Sequence, residues 1–323
     1  MLFQKSILLA KIEGAYGVDS TPAPAADAFI TSVPTISVQG EHRERNVARA
    51  GFGLPVGINV GQGVQIEFAV ELRGTTGLND APPKIFTLFR ACNMTQTLVS
   101  LTSATLTPNS NHNGESLSLI LNFDGIQHKI LGCRGTFTIE FQNNNIVVVN
   151  FTFTGIYSSS FTTSVAFPTG TFDDTPELLL FKSAGLDING NSNLIFENIT
   201  FNPGNNIFRR PGSNAASGTH AYSIVSRAPE ISLEPEAVAL AELNPWNLYD
   251  TSEAFPVSFG VQDANNTPGQ QFIFTFNNCQ IKDSPQYGQR ESLRTWPLTL
   301  IPHATIADGN DEFTISCSLP TES

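Results

Sequence analysis

The stretch from Phe137 to Thr154 alternates apolar and polar side chains with a period of two, and this period constrains the chain more than any other feature. Phe137, Ile139 and Phe141 alternate with Thr138 and Glu140. After Asn143, Asn144 and Asn145, a second run sets Phe151 and Phe153 between Asn150, Thr152 and Thr154. Residues two apart share one face of a strand, so each run is apolar on one side and polar on the other. The asparagines read as a tight turn between antiparallel strands. Across the whole segment Asn122–Tyr157, no apolar run reaches helical length. The segment also offers no evident nucleophile, general base or set of metal ligands.

Composition points the same way. Of 323 residues, 40% are apolar and only 14% are charged, where an ordinary soluble domain carries about 25% charged residues. With 24 Phe, 25 Gly and 20 Pro, an all-β chain with many turns is expected, its surface covered by partners rather than by water. The length accommodates two domains. Acids outnumber bases 29 to 17, for a net charge of −12. So acidic a chain does not grip nucleic acid by neutralising phosphates.

Lys11 and Glu13 interrupt the apolar run Ser6–Ala10, so no signal peptide is expected. No segment approaches the ~20 apolar residues that span a bilayer. Cys92, Cys133, Cys279 and Cys317 are scattered; they match neither a zinc site nor a disulfide scaffold and are expected as buried free thiols. The histidines, His42, His112, His128, His220 and His303, never stand three or four apart, as ligands on one helix face would. "DINGN" (Asp187–Asn191) is too short for a calcium-binding EF-hand loop and reads as an Asx/Gly turn. Asp173 and Asp174 form an acidic pair in a turn-rich stretch. "GFGLPVG" (Gly51–Gly57) lacks the Lys-Ser/Thr of a phosphate loop, and no G-x-S-x-G elbow occurs. The chain is therefore expected to be no enzyme, with no cofactor and no metal.

The order of elements repeats. "ISVQGEHRERNVARAG" (Ile36–Gly51) has a counterpart in "ITFNPGNNIFRRPG" (Ile199–Gly212), and "VQIEFAVELRG" (Val64–Gly74) in "YSIVSRAPEISLEP" (Tyr222–Pro235). Ile36 and Ile199 stand 199 − 36 = 163 positions apart, as do Phe68 and Ile231. Each half then carries one helix candidate. The first is Pro82–Met94, with prolines at its start. The second is Glu234–Asp250, opened by Pro235 and expected to end or kink at Pro245. Strands follow in each half, up to Tyr157 in the first and from Gln270 to Ile301 in the second. These observations predict an internal duplication with domains 1–165 and 166–323, the boundary falling in Ser164–Glu177. Two long polar loops stand out, residues 40–62 with Arg43, Arg45 and Arg49, and residues 203–221 with Arg209 and Arg210. Loops of that length are usually functional or mobile, which makes these five arginines candidate functional residues. The acids on polar strand faces, Glu67, Glu71 and Glu140, are the other candidate functional residues.

"KIEGAYGVDSTPAPAADAF" (Lys11–Phe29), "VQIEFAVELRG", "FTLFRAC" and "FDGIQHKILGCRGTFTIEF", together with the ending "DEFTISCS" (Asp311–Ser318), resemble the tail tube proteins of tailed bacteriophages in their larger, two-domain form. The resemblance covers most of residues 10–157 and is most specific in "EGAYGVDSTPAP" and "DGIQHKILGCRGT". It implies two tandem β-sandwich or barrel-like domains, each with one flanking helix. It also implies self-assembly into homotrimeric, pseudo-hexameric or hexameric rings that stack into a conduit for genome ejection. The implied partners are further copies of the chain and other tail proteins, such as the tape measure, terminator, and baseplate or distal tail components. The tube would pass DNA without binding it and would contact no membrane. The implied location is the virion tail, after synthesis in the host bacterial cytoplasm. In that setting Arg43, Arg45, Arg49, Arg209 and Arg210 become candidate contacts to a neighbouring subunit or ring, and Glu67, Glu71 and Glu140 become candidates to face the lumen. The alternative is a particle-displayed β-sandwich that binds a receptor or carbohydrate. It predicts an aromatic-rich exposed loop, whereas Trp246 and Trp296 both sit inside patterned elements.

Overall fold

The structure is a computed structural model and describes residues 2, 4–75, 81–157, 162–172, 178–263, 271–306 and 309–319. The acidic pair Asp173–Asp174 and part of the expected domain boundary lie outside the described residues.

The first half contributes β1 (Ser6–Ile12), β2 (Ala28–Phe29), β3 (Thr35–Arg43), β4 (Ile58–Glu71) and α1 (Phe86–Ala91). It continues with β5 (Met94–Val99), β6 (Ser103–Pro108), β7 (Leu117–Phe123), β8 (Ile126–Gln142), β9 (Val148–Ile156) and β10 (Thr162–Ser164). The second contributes β11 (Asp187–Ile188), β12 (Asn198–Asn202), β13 (Asn206–Pro211), β14 (Thr219–Ser226), β15 (Glu230–Leu233) and α2 (Pro245–Asp250). It ends with β16 (Phe255–Gln262), β17 (Gln271–Ile281), β18 (Gly288–Arg290), β19 (Leu293–Thr295), β20 (Leu298–Pro302) and β21 (Thr314–Ser318). The fold is mainly β and antiparallel, with two short helices, as the alternation predicts.

One pairing order occurs twice. In the first half the strands run β3, β4, β9, β8, β7, β1 across the sheet. In the second they run β12, β15, β20, β17, β16, β11. The two series join edge to edge, because Ile139 and Glu140 of β8 pair with β9 on one side and with Phe201 and Thr200 of β12 on the other. A second crossing pairs β21, the last strand, with β6.

The apolar face of this sheet fills one continuous core. Phe141 of the first half lies with its ring centroid 5.2 Å from Phe181, 5.0 Å from Phe259 and 5.0 Å from Phe274 of the second. Phe137 and Phe201 meet across the junction at 6.0 Å. Helix α1 is six residues long and buries Phe86, Leu88, Phe89 and Ala91 against the sheet, so its packing rather than its propensity holds it.

Two expectations need correction. The second helix does not span Glu234–Asp250. Pro245 opens a six-residue helix, with the Asn244 side chain accepting from the Asn247 N–H. A proline lacks the N–H that a first-turn residue leaves unpaired anyway, so it starts a helix more readily than it interrupts one. The two polar loops are partly ladder at their bases. Residues 41–43 pair with 58–60, so the first loop shrinks to residues 44–57. The second shrinks to residues 212–218 at the tip of the β13–β14 hairpin.

Phe141→Ala should lower the unfolding free energy by about 3–5 kcal/mol, the usual cost of emptying a buried aromatic site. Because its neighbours belong to the other half, urea unfolding should remain one transition, shifted as a whole. Two transitions, only one of them shifted, would contradict the shared core.

Candidate functional site

The alternation that fills the core on one side leaves a polar face on the other, and that face runs through both halves. One row across it reads Glu71, Val148, Glu140, Thr200, Ser232 and Thr299, each the register partner of the next. A neighbouring row reads Thr35, Glu67, Thr152 and Thr136. Glu67 and Glu140 are exposed; Glu67 accepts from the Gln65 side-chain amide at 2.7 Å. Glu71 is half-buried and pairs with Arg73 at 2.8 Å. The structure thus brings all three candidate acids onto one face.

The arginines divide. Arg43, Arg45 and Arg49 lie on the exposed arm made by the outer ends of β3 and β4 and the loop between them. Arg43 pairs with Glu41 of its own strand at 2.5 Å, and Arg49 reaches the Leu54 carbonyl at 3.4 Å. The same arm exposes Phe52, Leu54, Val56 and Ile58. Arg209 and Arg210 are half-buried on the second arm, the β13–β14 hairpin, which lies back on the first half. Arg209 Nε donates to Thr219 Oγ1 at 2.8 Å.

What holds the second arm down was not among the sequence candidates. Arg134 sits at a bulge where β8 leaves β7 and joins β9. Its guanidinium is buried and donates through Nη1 to the Tyr222 carbonyl at 2.7 Å, and through Nη2 to the Gly114 carbonyl. The Tyr16 ring covers it, 4.8 Å from ring centre to Cζ, and the Tyr16 hydroxyl accepts from the Tyr222 N–H at 2.7 Å. Gly132, at φ +61°, lies directly beneath that ring, and a Cβ there would stand 2.7 Å from Tyr16 Cζ. Glu13 completes the node. Its buried carboxylate accepts from the Gly17 and Gly132 N–H groups at 2.7 and 2.8 Å, and from the Ser116 and Ser118 hydroxyls at 2.6 and 3.0 Å. Asp19 pairs with Lys129 at 2.6 Å. The segments "EGAYGVDSTPAP" and "DGIQHKILGCRGT" are therefore one structural unit. The arginine inside the second is what fastens the second arm to the first half.

Other candidate chemistry resolves into structure. Gly190 N–H donates to Asp187 Oδ1 at 2.8 Å, and Ile188 and Asn191 exchange backbone hydrogen bonds, so the segment is a tight turn capped by Asp187. All four cysteines are buried free thiols, and burial raises each above its ordinary pKa, Cys279 and Cys317 to about 12. His128 is a strand residue of β8, with Nδ1 2.9 Å from Thr162 Oγ1. Among the described residues, no three His, Cys, Asp or Glu side chains stand close enough to hold a metal ion. No described helix is long and apolar enough to cross a membrane.

A mainly-β chain with a continuous polar sheet face, open sheet edges and an exposed arm has the form of an assembling structural protein. The family model for phage tail tube proteins matches residues 4–316, and the chain belongs to that family. A structural role in the virion tail follows from that membership, with assembly among copies of the chain and other tail components. No curated protein matches the sequence.

Burial, the largest effect on Tyr16, pushes its phenol up to about 12. The folded value lies above the unfolded one, so the resulting stability is full below pH 10 and is lost as pH rises towards 12. The loss attributable to Tyr16 should be about 2–3 kcal/mol across that window. Urea titrations of Tyr16→Phe should show a correspondingly flatter alkaline limb, and an unchanged slope would refute the assignment.

Proposed function

We propose that three copies of this chain close into a ring of six related modules, 1–165 and 166–323 of each copy, and that the rings stack into the tube through which the genome is ejected. The observation that carries this reading is the β8–β12 junction. There the first strand of the second series adds to the end of β8. The corresponding end of β17 is unpaired on the β16 side beyond Cys279, and β3, the counterpart of β12, has β4 as its one ladder partner among the described residues. A β3 strand from the next copy fits that open edge as β12 fits β8. A head-to-tail contact of this kind closes into a ring when the rotation per copy is one third of a turn, and it then leaves the polar-faced sheet no free edge.

The dimensions are adequate. Each copy supplies eight strands to the polar-faced sheet (β3, β4, β9, β8, β12, β15, β20 and β17), so a trimer supplies 3 × 8 = 24. At about 4.8 Å between strands, the closed sheet has a circumference of about 115 Å and a backbone diameter of about 37 Å before tilt widens it. That leaves room for a duplex inside the side chains. Glu67, Glu71 and Glu140 then face the lumen. The ring carries 3 × −12 = −36 overall, and like charge keeps DNA from adhering to the wall, where basic residues would hold it through counterion release. The arm tip, with Arg45, Arg49, Phe52 and Leu54, reaches the adjacent ring, while Arg43, Arg209 and Arg210 lie at contacts between modules. Tape measure, terminator and baseplate or distal tail proteins meet the ends and interior of such a tube. The chain is made in the host cytoplasm and performs no catalysis.

Electron microscopy of the concentrated protein should show rings or tubes, and a monomeric population at all concentrations would reject the reading. Of Ser37→Pro and Val38→Pro, the one whose N–H points away from β4 should abolish rings and leave the monomer folded. If both assemble normally, β3 is not the contact edge. Charge reversal at Arg45 and Arg49 should shorten tubes without dissolving rings; tubes of unchanged length would exclude the arm tip from stacking. Assembled tubes should retain no duplex DNA at low salt, and micromolar retention would contradict an acidic lumen.

A further inference from the structure

The two arms are built alike but are not in the same state. The first is bulged where the Gln39–Gly63 pair gives way to Glu41–Val60. The second is bulged where Asn206–Ser226 gives way to Ile207–Ile224, which leaves Val225 out of register. Outward from the bulge, Glu41–Val60 corresponds to Ile207–Ile224, His42–Asn59 to Phe208–Ser223, and Arg43–Ile58 to Arg209–Tyr222.

The second arm is seated. Arg209 packs its guanidinium against Gly61 in the bulge of the first arm. The Tyr222 hydroxyl fills the space a side chain would take at Gly63, and the Tyr222 carbonyl is held by Arg134. Among the described residues, the first arm has no such seat in its own chain. Ile58, which corresponds to Tyr222, is 60% exposed, and Arg43, which corresponds to Arg209, is also exposed. The place corresponding to the first arm's bulge is Val225, itself 52% exposed, with Phe208 of the same arm 53% exposed. One chain therefore presents an unseated arm and an unoccupied seat, each marked by apolar side chains left in water.

We propose that Arg43 and Ile58 of one copy pack over Val225 of its neighbour in the same ring, so that arms overlap around the circumference, each on the bulge of the one before. The inference rests on the ring reading above. It concerns the base of the arm, residues 41–43 and 58–60, and leaves the tip, residues 44–57, free to reach another ring. A buried Ile58–Val225 contact gives the neighbour specificity that a bare strand edge lacks, since backbone pairing alone reads no side chains.

The test uses the full chain carrying Ile58→Cys and Val225→Cys, both at exposed positions, with a short bismaleimide. The native thiols are buried and do not compete. Circular dichroism confirms folding, and electron microscopy establishes whether rings form. The expected result is covalent dimer and trimer, with the series ending at trimer, from the double variant alone. Rings without cross-links would overturn the inference and leave the ring reading intact. So would cross-links confined to single chains, or a series running past trimer, which places the contact between rings. Absence of rings would remove both. As a second measurement, Ile58→Lys and Val225→Asp should each lower ring yield at least several-fold and should restore it when combined. Failure of the pair to rescue either single variant would also overturn the contact.

Discussion

Arg134 is a guanidinium taken out of water with backbone carbonyls for its partners. Burying such a group is costly unless its donors are met. Here Tyr222 and Gly114 meet them, and the face of Tyr16 covers what remains. These acceptors belong to distant segments of backbone, so satisfying one side chain fixes where those segments lie. Burial draws the Arg134 pKa down, while Tyr16 and Glu13 beside it act the other way. Glu13 works by the complementary rule, with one carboxylate collecting donors from three segments. The seat of the second arm on the first half depends on Arg134, and the segments of the first half around it are gathered by Glu13.

The sequence displayed what depends on neighbours a few residues away. Alternation at Phe137–Phe141 and Phe151–Phe153 marked β8 and β9 with the correct buried face. Prolines 82 and 83 marked the start of α1, although the helix is shorter than its pattern. Pro245 misled because the same residue that stops a helix also starts one, and only the Asn244 cap decides between them. The loops 40–62 and 203–221 misled because Gly and Asn look alike in a turn and in a twisted hairpin arm. The polar-face acids were legible because strand period alone assigns them to a face. Glu13, Tyr16 and Arg134 were not, because the partners that define the node, Ser116 for Glu13 and Tyr222 for the other two, lie 88 to 206 residues away. The available signal was a carboxylate and an aromatic ring set among glycines in "EGAYG", and an arginine between a cysteine and a glycine in "GCRGT". The β6–β21 pairing carried no local signal at all.

The β8–β12 junction has a consequence for how fast and how faithfully such a chain assembles. In the ring of three copies proposed above, the junction would occur in two kinds. Half of the junctions form while the chain folds, within one molecule and independent of concentration, and half form when copies meet. A tether of this sort holds its ends at an effective concentration of order millimolar, so only the intermolecular kind responds to how much protein the cell holds. Two encounters and one closure would then complete a ring for which six separate modules would need five encounters and a closure. The two kinds are also free to differ in strength. The one inside the chain is held by a full core of phenylalanines, whereas the one between chains can stay weak until a growing end presents it with a template. Covalent fusion of the proposed modules would thereby separate the threshold for folding from the threshold for polymerising.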